Sequence, residues 1–148
     1  MKNGGRHGIL YPSTMDGGGG VHTITRIDKD VYSCVTKDIV TDEVVLTEER
    51  ISHVLGSHPQ EQHVSVLERL AEALEVPDYI LRDTDPKTAV VLKEFLLQNE
   101  RYRIILKLAT PDMPAHPKNS VITAFYISEK KWRKYLRNKT VLYKRAEM

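Results

Sequence analysis

Cysteine is nearly absent from this chain: Cys34 stands alone among 148 residues. No internal disulfide can staple the fold, which fits a reducing compartment. Long apolar runs are also missing. No stretch approaches the ~20 residues of a membrane span, and nothing near the N-terminus reads as the apolar segment of a signal peptide. Several site signatures are lacking: Cys-x-x-Cys, His-Glu-x-x-His, the phosphate loop Gly-x-x-x-x-Gly-Lys, the Gly-x-Ser-x-Gly elbow and the dinucleotide fingerprint. His53, His58 and His63 are spaced five apart, whereas helical ligand pairs want three or four, and Gly56 and Pro59 break the helix between them. Neither a metal nor a cofactor is expected.

The chain does carry 41% hydrophobic residues, enough for the core of one domain. Its net charge of +2 hides an asymmetry. Residues 128–148 hold eight Lys/Arg against Glu129 and Glu147, a net of +6, and the rest of the chain carries −4. A basic C-terminal face on a mildly acidic body suits a polyanionic partner, or is simply a solvated helix face.

Residues 1–22, with Gly17-Gly18-Gly19-Gly20, read as a flexible linker preceding a single domain over 23–148. Residues 31–36 read as a short strand with Glu43–Leu46 as its hairpin partner. Thr47 is a good N-cap for a helix from Glu48 to Leu55. Ser57-His58-Pro59 restarts the chain into a second helix to about Glu75, with Val64, Leu67, Leu70, Ala71 and Leu74 as its apolar stripe. Strands follow at Tyr79–Arg82, Thr88–Leu97, Tyr102–Ala109 and Ser120–Ile127. In the third, Tyr102, Ile104 and Leu106 share one face and Arg103, Ile105 and Lys107 the other; in the fourth, Val121, Thr123, Phe125 and Ile127 share a face. A short basic helix over Ser128–Arg137 precedes a last strand at Thr140–Lys144. The order implies an α+β fold with a mainly antiparallel sheet.

The segment Arg50-Ile51-Ser52-His53-Val54-Leu55-Gly56-Ser57-His58-Pro59 puts one arginine and two histidines within ten residues. Arg is the best partner of a phosphate, and His titrates near neutrality. Arg50 and His53 lie three apart, on the flank of the stripe made by Ile51, Val54 and Leu55. His58 is either a helix cap or a second imidazole aimed at the same cleft. Lys107, in an apolar strand, is an edge residue or a cation pointed at a phosphate. Thr123 is a good strand former whose hydroxyl needs a partner. Tyr126, Tyr143 and Lys144 extend the polar set. With no carboxylate in it, such a set suits a phosphodiester better than a glycoside.

Leu46-Thr47-Glu48-Glu49-Arg50-Ile51-Ser52-His53-Val54, His58-Pro59, Pro77-Asp78-Tyr79-Ile80, a lysine-bearing strand, Asn119-Ser120-Val121-Ile122-Thr123-Ala124-Phe125-Tyr126 and Leu142-Tyr143-Lys144 together resemble the phage-associated barnase–EndoU–colicin–RelE-like nuclease domains. The likeness spans roughly residues 40–146. It implies two N-terminal helices on a four-stranded antiparallel sheet, with a short helix before the last strand. It also implies a metal-independent endoribonuclease of toxin or effector type, cytoplasmic or delivered within a larger phage or secreted protein. RNA (tRNA among the candidates) is the implied substrate, with a cognate immunity protein or antitoxin as a second partner and no membrane.

The implied site is Arg50, His53, His58, Lys107, Thr123 and Tyr143. His53 or His58 would take the 2′-hydroxyl proton, Arg50 and Lys107 would hold the phosphorane, and the other His or Tyr143 would protonate the leaving oxygen, giving a 2′,3′-cyclic phosphate. Lys130, Lys131 and Lys144 would track the backbone, and Tyr126 would stack a base. The alternatives are an inactive nucleic-acid- or protein-binding module, or an accessory domain of a phage structural protein.

Overall fold

The computed structural model describes residues 20–56 and 58–146. Most of the stretch read as a linker, and the capping residue Ser57, lie outside the described residues. The chain runs β1 (Val21–Arg26), α1 (Lys29–Tyr32), β2 (Glu43–Thr47), α2 (Glu48–Leu55), a 3-10 turn (Gln60–Gln62), α3 (His63–Glu75), β3 (Tyr79–Arg82), β4 (Thr88–Phe95), β5 (Glu100–Lys107), β6 (Asn119–Tyr126), α4 (Glu129–Asn138) and β7 (Val141–Lys144).

The expected four-stranded antiparallel sheet under two helices is corrected. All seven strands join one mixed sheet, ordered β1-β2-β6-β5-β4-β3-β7, with four helices. The N-terminal hairpin adds to the sheet because β2 pairs in parallel with β6. β7 extends the other edge by pairing with β3. The hairpin partner of β2 is β1, upstream of the segment proposed for it. Val21 and His22 therefore belong to the sheet. In place of a strand over 31–36, Asp28 caps the short helix α1, its carboxylate accepting from Asp30 N at 2.9 Å. Tyr32 then turns inward, fully buried, and its hydroxyl donates to Leu74 O at 2.8 Å.

The helices divide between the two faces. α2 and α3 cover one face, where Ile51, Val54, Leu67 and Leu70 meet Val44, Val91 and Ile104. α4 covers the other over β3 and β4, with Trp132 seated on Leu81, Val90 and Leu92. Cover on both sides explains why β4 is buried continuously from Thr88 to Lys93. It is also why Thr88–Leu97 lacks alternation. In α3 the stripe shifts by a register from the one expected: Val66 is buried and Val64 exposed, because the 3-10 turn delays the helix to His63. Among the described residues no helix is long and apolar enough to cross a membrane.

Two polar clusters hold the sheet at its joints. Asn119 is fully buried. Its Oδ1 accepts from Ala109 N, and its Nδ2 donates to Thr41 O and Glu43 O, each at 2.8 Å. At the opposite edge Asp78 accepts from Arg145 Nε and Glu94 N at 2.8 Å. The buried Lys93 donates to Val76 O at 2.7 Å and lies 3.6 Å from Asp78. Burial pushes the Lys93 ammonium below its ordinary pKa.

β2 and β6 share only two residue pairs, Val44↔Asn119 and Val45↔Ser120. So short a parallel contact depends on the Asn119 amide, and its loss would strand a buried amide and two carbonyls. Asn119→Ala is expected to lower stability by roughly 3 kcal/mol, read as a shift of the urea midpoint with an unchanged slope.

Candidate functional site

β2 leaves the sheet at Thr47, whose hydroxyl accepts from Arg50 N at 3.2 Å and starts α2. Beyond Ser120, β6 has no strand neighbour on that side, and α2 takes the place of one. A one-residue bulge at Ile122 interrupts β6: Leu106 pairs with Val121, but Ile105 pairs with Thr123. Arg50 reaches the carbonyl of that bulged residue and donates to it. The remaining nitrogens of its guanidinium make no hydrogen bond or ion pair among the described residues.

His53 and His58 come together. Both line a cavity of about 380 Å³ with Val54, Val66, Leu70, Tyr102, Ala124, Phe125 and Tyr126. His53 stands exposed on α2, and His58 is half-buried in the turn before α3. Their rings meet aromatic edges: His53 lies 6.4 Å from Phe125, and His58 lies 5.0 Å from Tyr126. Tyr126 in turn meets its cross-strand partner Tyr102 at 4.7 Å. His63 is not part of the set, since its Nε2 donates to the His58 carbonyl at 3.1 Å. Among the described residues no group of three or more His, Cys, Asp or Glu is placed to hold a metal ion.

The strand half of the expected site is not assembled here. Lys107 shares the α4 side of β5 with Ile105 and pairs with Asp85 at 2.6 Å. Hydrogen bonds from Lys107 and from the Lys87 backbone hold the Asp85 carboxyl below its usual range. Thr123 also faces away from the cavity. The bulge puts it and Phe125 on the side opposite Val121, so the face expected to hold all three is split. Its buried hydroxyl has no hydrogen-bond partner. Tyr143 is on β7, separated from β6 by three strands. Lys144, beside it, lines a separate depression with Asp78 and Trp132. Tyr126 is at the cavity rim, 43% exposed.

Lys130 and Lys131 are exposed on α4. Lys131 also lines a groove of about 280 Å³ with Lys134, Tyr135, Asn138 and Lys139. Arg103, on the same side of the sheet, links the groove to the cavity: its guanidinium donates to the Tyr135 hydroxyl at 2.8 Å and stacks 5.0 Å from the Phe125 ring.

Sequence reasoning missed Tyr102, Phe125 and Arg103 as site residues. Tyr102 reads as core by its alternation with Ile104 and Leu106, and it is indeed only 3% exposed. Yet its hydroxyl is buried without a hydrogen bond of ordinary geometry. Arg69, ion-paired to Glu100 at 3.1 Å, and Tyr126 both lie close enough to act on it. Burial, and then the neighbouring Tyr126, hold the Tyr102 phenol well above its ordinary pKa. A buried, unpaired hydroxyl costs about 1–3 kcal/mol. No family model matches the chain, and no curated protein or solved structure matches it either.

The raised Tyr102 pKa has a signed consequence. Above an ordinary phenol pKa of about 10, the unfolded chain releases this proton and the folded protein keeps it, so stability falls as pH rises through that value. Tyr102→Phe removes the group and should flatten the fall in urea midpoint between about pH 9 and pH 11. An unchanged alkaline slope would assign that fall to other tyrosines.

Proposed function

We propose that the protein is a metal-independent endoribonuclease, working in the cleft between α2 and the free edge of β6. The observation that carries this reading is the convergence of His53 and His58, from two different elements, on one cavity rimmed by exposed aromatic rings. Two imidazoles can divide the work of phosphodiester transfer. One takes the proton from a ribose 2′-hydroxyl, whose oxygen attacks the adjacent phosphorus. The 5′-oxygen leaves with a proton from the other. The products are a 2′,3′-cyclic phosphate and a free 5′-hydroxyl. The unspent guanidinium nitrogens of Arg50 are the nearest source of positive charge on α2 for the phosphorane.

The substrate would be single-stranded. Phe125 and Tyr126 are 45% and 43% exposed, and bases stack on such rings without regard to pairing. From Phe125 the path continues through Arg103 to the lysine groove of α4, which suits a phosphate backbone passing round the β6 edge.

A second reading, binding without cleavage, is favoured by one observation. Lys107, expected to stabilise the phosphorane, is ion-paired to Asp85 on the side of the sheet away from the cavity.

Incubation with single-stranded RNA in EDTA separates the two. Cleavage giving cyclic-phosphate ends, reduced by about 10²–10⁴-fold in His53→Ala or His58→Ala, is the expected result. Binding with intact RNA favours the second reading, and cleavage that needs a divalent metal overturns the mechanism. Replacing both Lys131 and Lys134 by Gln should lower the slope of log affinity against log salt by about 1.4, measured by fluorescence anisotropy.

A further inference from the structure

The cavity is built for more than a phosphate. Acid–base transfer needs the two imidazoles and positive charge. A phosphodiester has no use for the walls of Val54, Val66, Leu70 and Ala124 that make up much of the lining. Those walls, with Tyr126 set edge-on to His58 at 5.0 Å and to Tyr102 at 4.7 Å, form a space that is flat-sided, apolar and aromatic. Its volume of about 380 Å³ accommodates a planar ring system. Tyr102 completes the lining, 3% exposed, with a hydroxyl that lacks a hydrogen-bond partner. Polar groups at such depth ordinarily have one.

From these observations we propose that the cavity is a base-binding pocket, which seats one splayed nucleobase against Tyr126 and His58 and selects it through a hydrogen bond with the Tyr102 hydroxyl. Tyr102 is then a specificity-determining residue, while His53 and His58 carry the proton transfers. The proposal rests on the reading of the cleft as an RNA site and adds that cleavage depends on the base. Discrimination by such a group is strong, because a base that cannot meet the hydroxyl leaves it buried and unpaired. The 43% exposure of Tyr126 gives the base an entrance from the solvent side.

The test uses the four ribonucleoside 3′-monophosphates, titrated separately into the full chain and followed by the ring resonances of His58, Tyr102 and Tyr126. One base is expected to bind at least about tenfold more tightly than the weakest, with base-to-ring nuclear Overhauser effects to Tyr126 and His58. In Tyr102→Phe the four affinities should converge to within about twofold, and the base preference in RNA cleavage should fall with them. The Overhauser effects on the unsubstituted protein keep the test decisive if the variant does not fold. Equal affinities in the unsubstituted protein, an unchanged preference in Tyr102→Phe, or no base-to-ring contact overturns the proposal. If RNA is cleaved without base preference or contact, the pocket fails and the ribonuclease reading stands. If a base seats as described and RNA stays intact, the pocket stands and the ribonuclease reading fails.

Discussion

The buried amide of Asn119 is the constraint on which the rest of the site depends. A parallel contact of two residue pairs is too short to hold a hairpin against a five-stranded sheet on its own ladder. The amide binds three backbone groups at once, from the end of β5, the approach to β2 and β2 itself. That sets where β2 lies and therefore where it departs. Thr47 then starts α2 beside the uncovered length of β6, and Arg50 meets the bulge carbonyl of Ile122. His53 comes to lie next to Phe125 as a consequence.

The sheet separates two kinds of chemistry. On the α2–α3 side, the cavity holds imidazoles, phenols and apolar walls. On the α4 side, Arg103 and the lysines of α4 supply positive charge. Only at the edge of β6 can the two sides communicate, and Phe125 stands there, touched by Arg103 on one side and His53 on the other.

Much of this was legible in local sequence chemistry. Thr47 before two glutamates marked α2, and its apolar spacing set the buried flank. The alternation of β5 correctly divided Tyr102, Ile104 and Leu106 from Arg103, Ile105 and Lys107. What alternation cannot say is which side of the sheet the helices choose. Lys107 was grouped with His53 and His58, although its own parity placed it with Arg103. For Thr123 the obstacle was the bulge at Ile122, which reverses parity midway through a strand of good β-formers and leaves no compositional mark. Tyr143 was separated by topology, since the order of strands in a sheet follows from long-range pairing. The strand β1 was overlooked because Ile24 is its one buried residue and its outer positions are Val, His, Thr and Arg.

The uncovered edge of β6 carries a risk that the fold must manage. A strand that presents free backbone groups invites pairing with another chain, and so association and aggregation. Here a helix lies along the edge, the bulge breaks its regularity, and a guanidinium occupies the carbonyl an incoming strand would need. Arg50 is thus also a gatekeeper of solubility, and selection on that position need not be selection for catalysis.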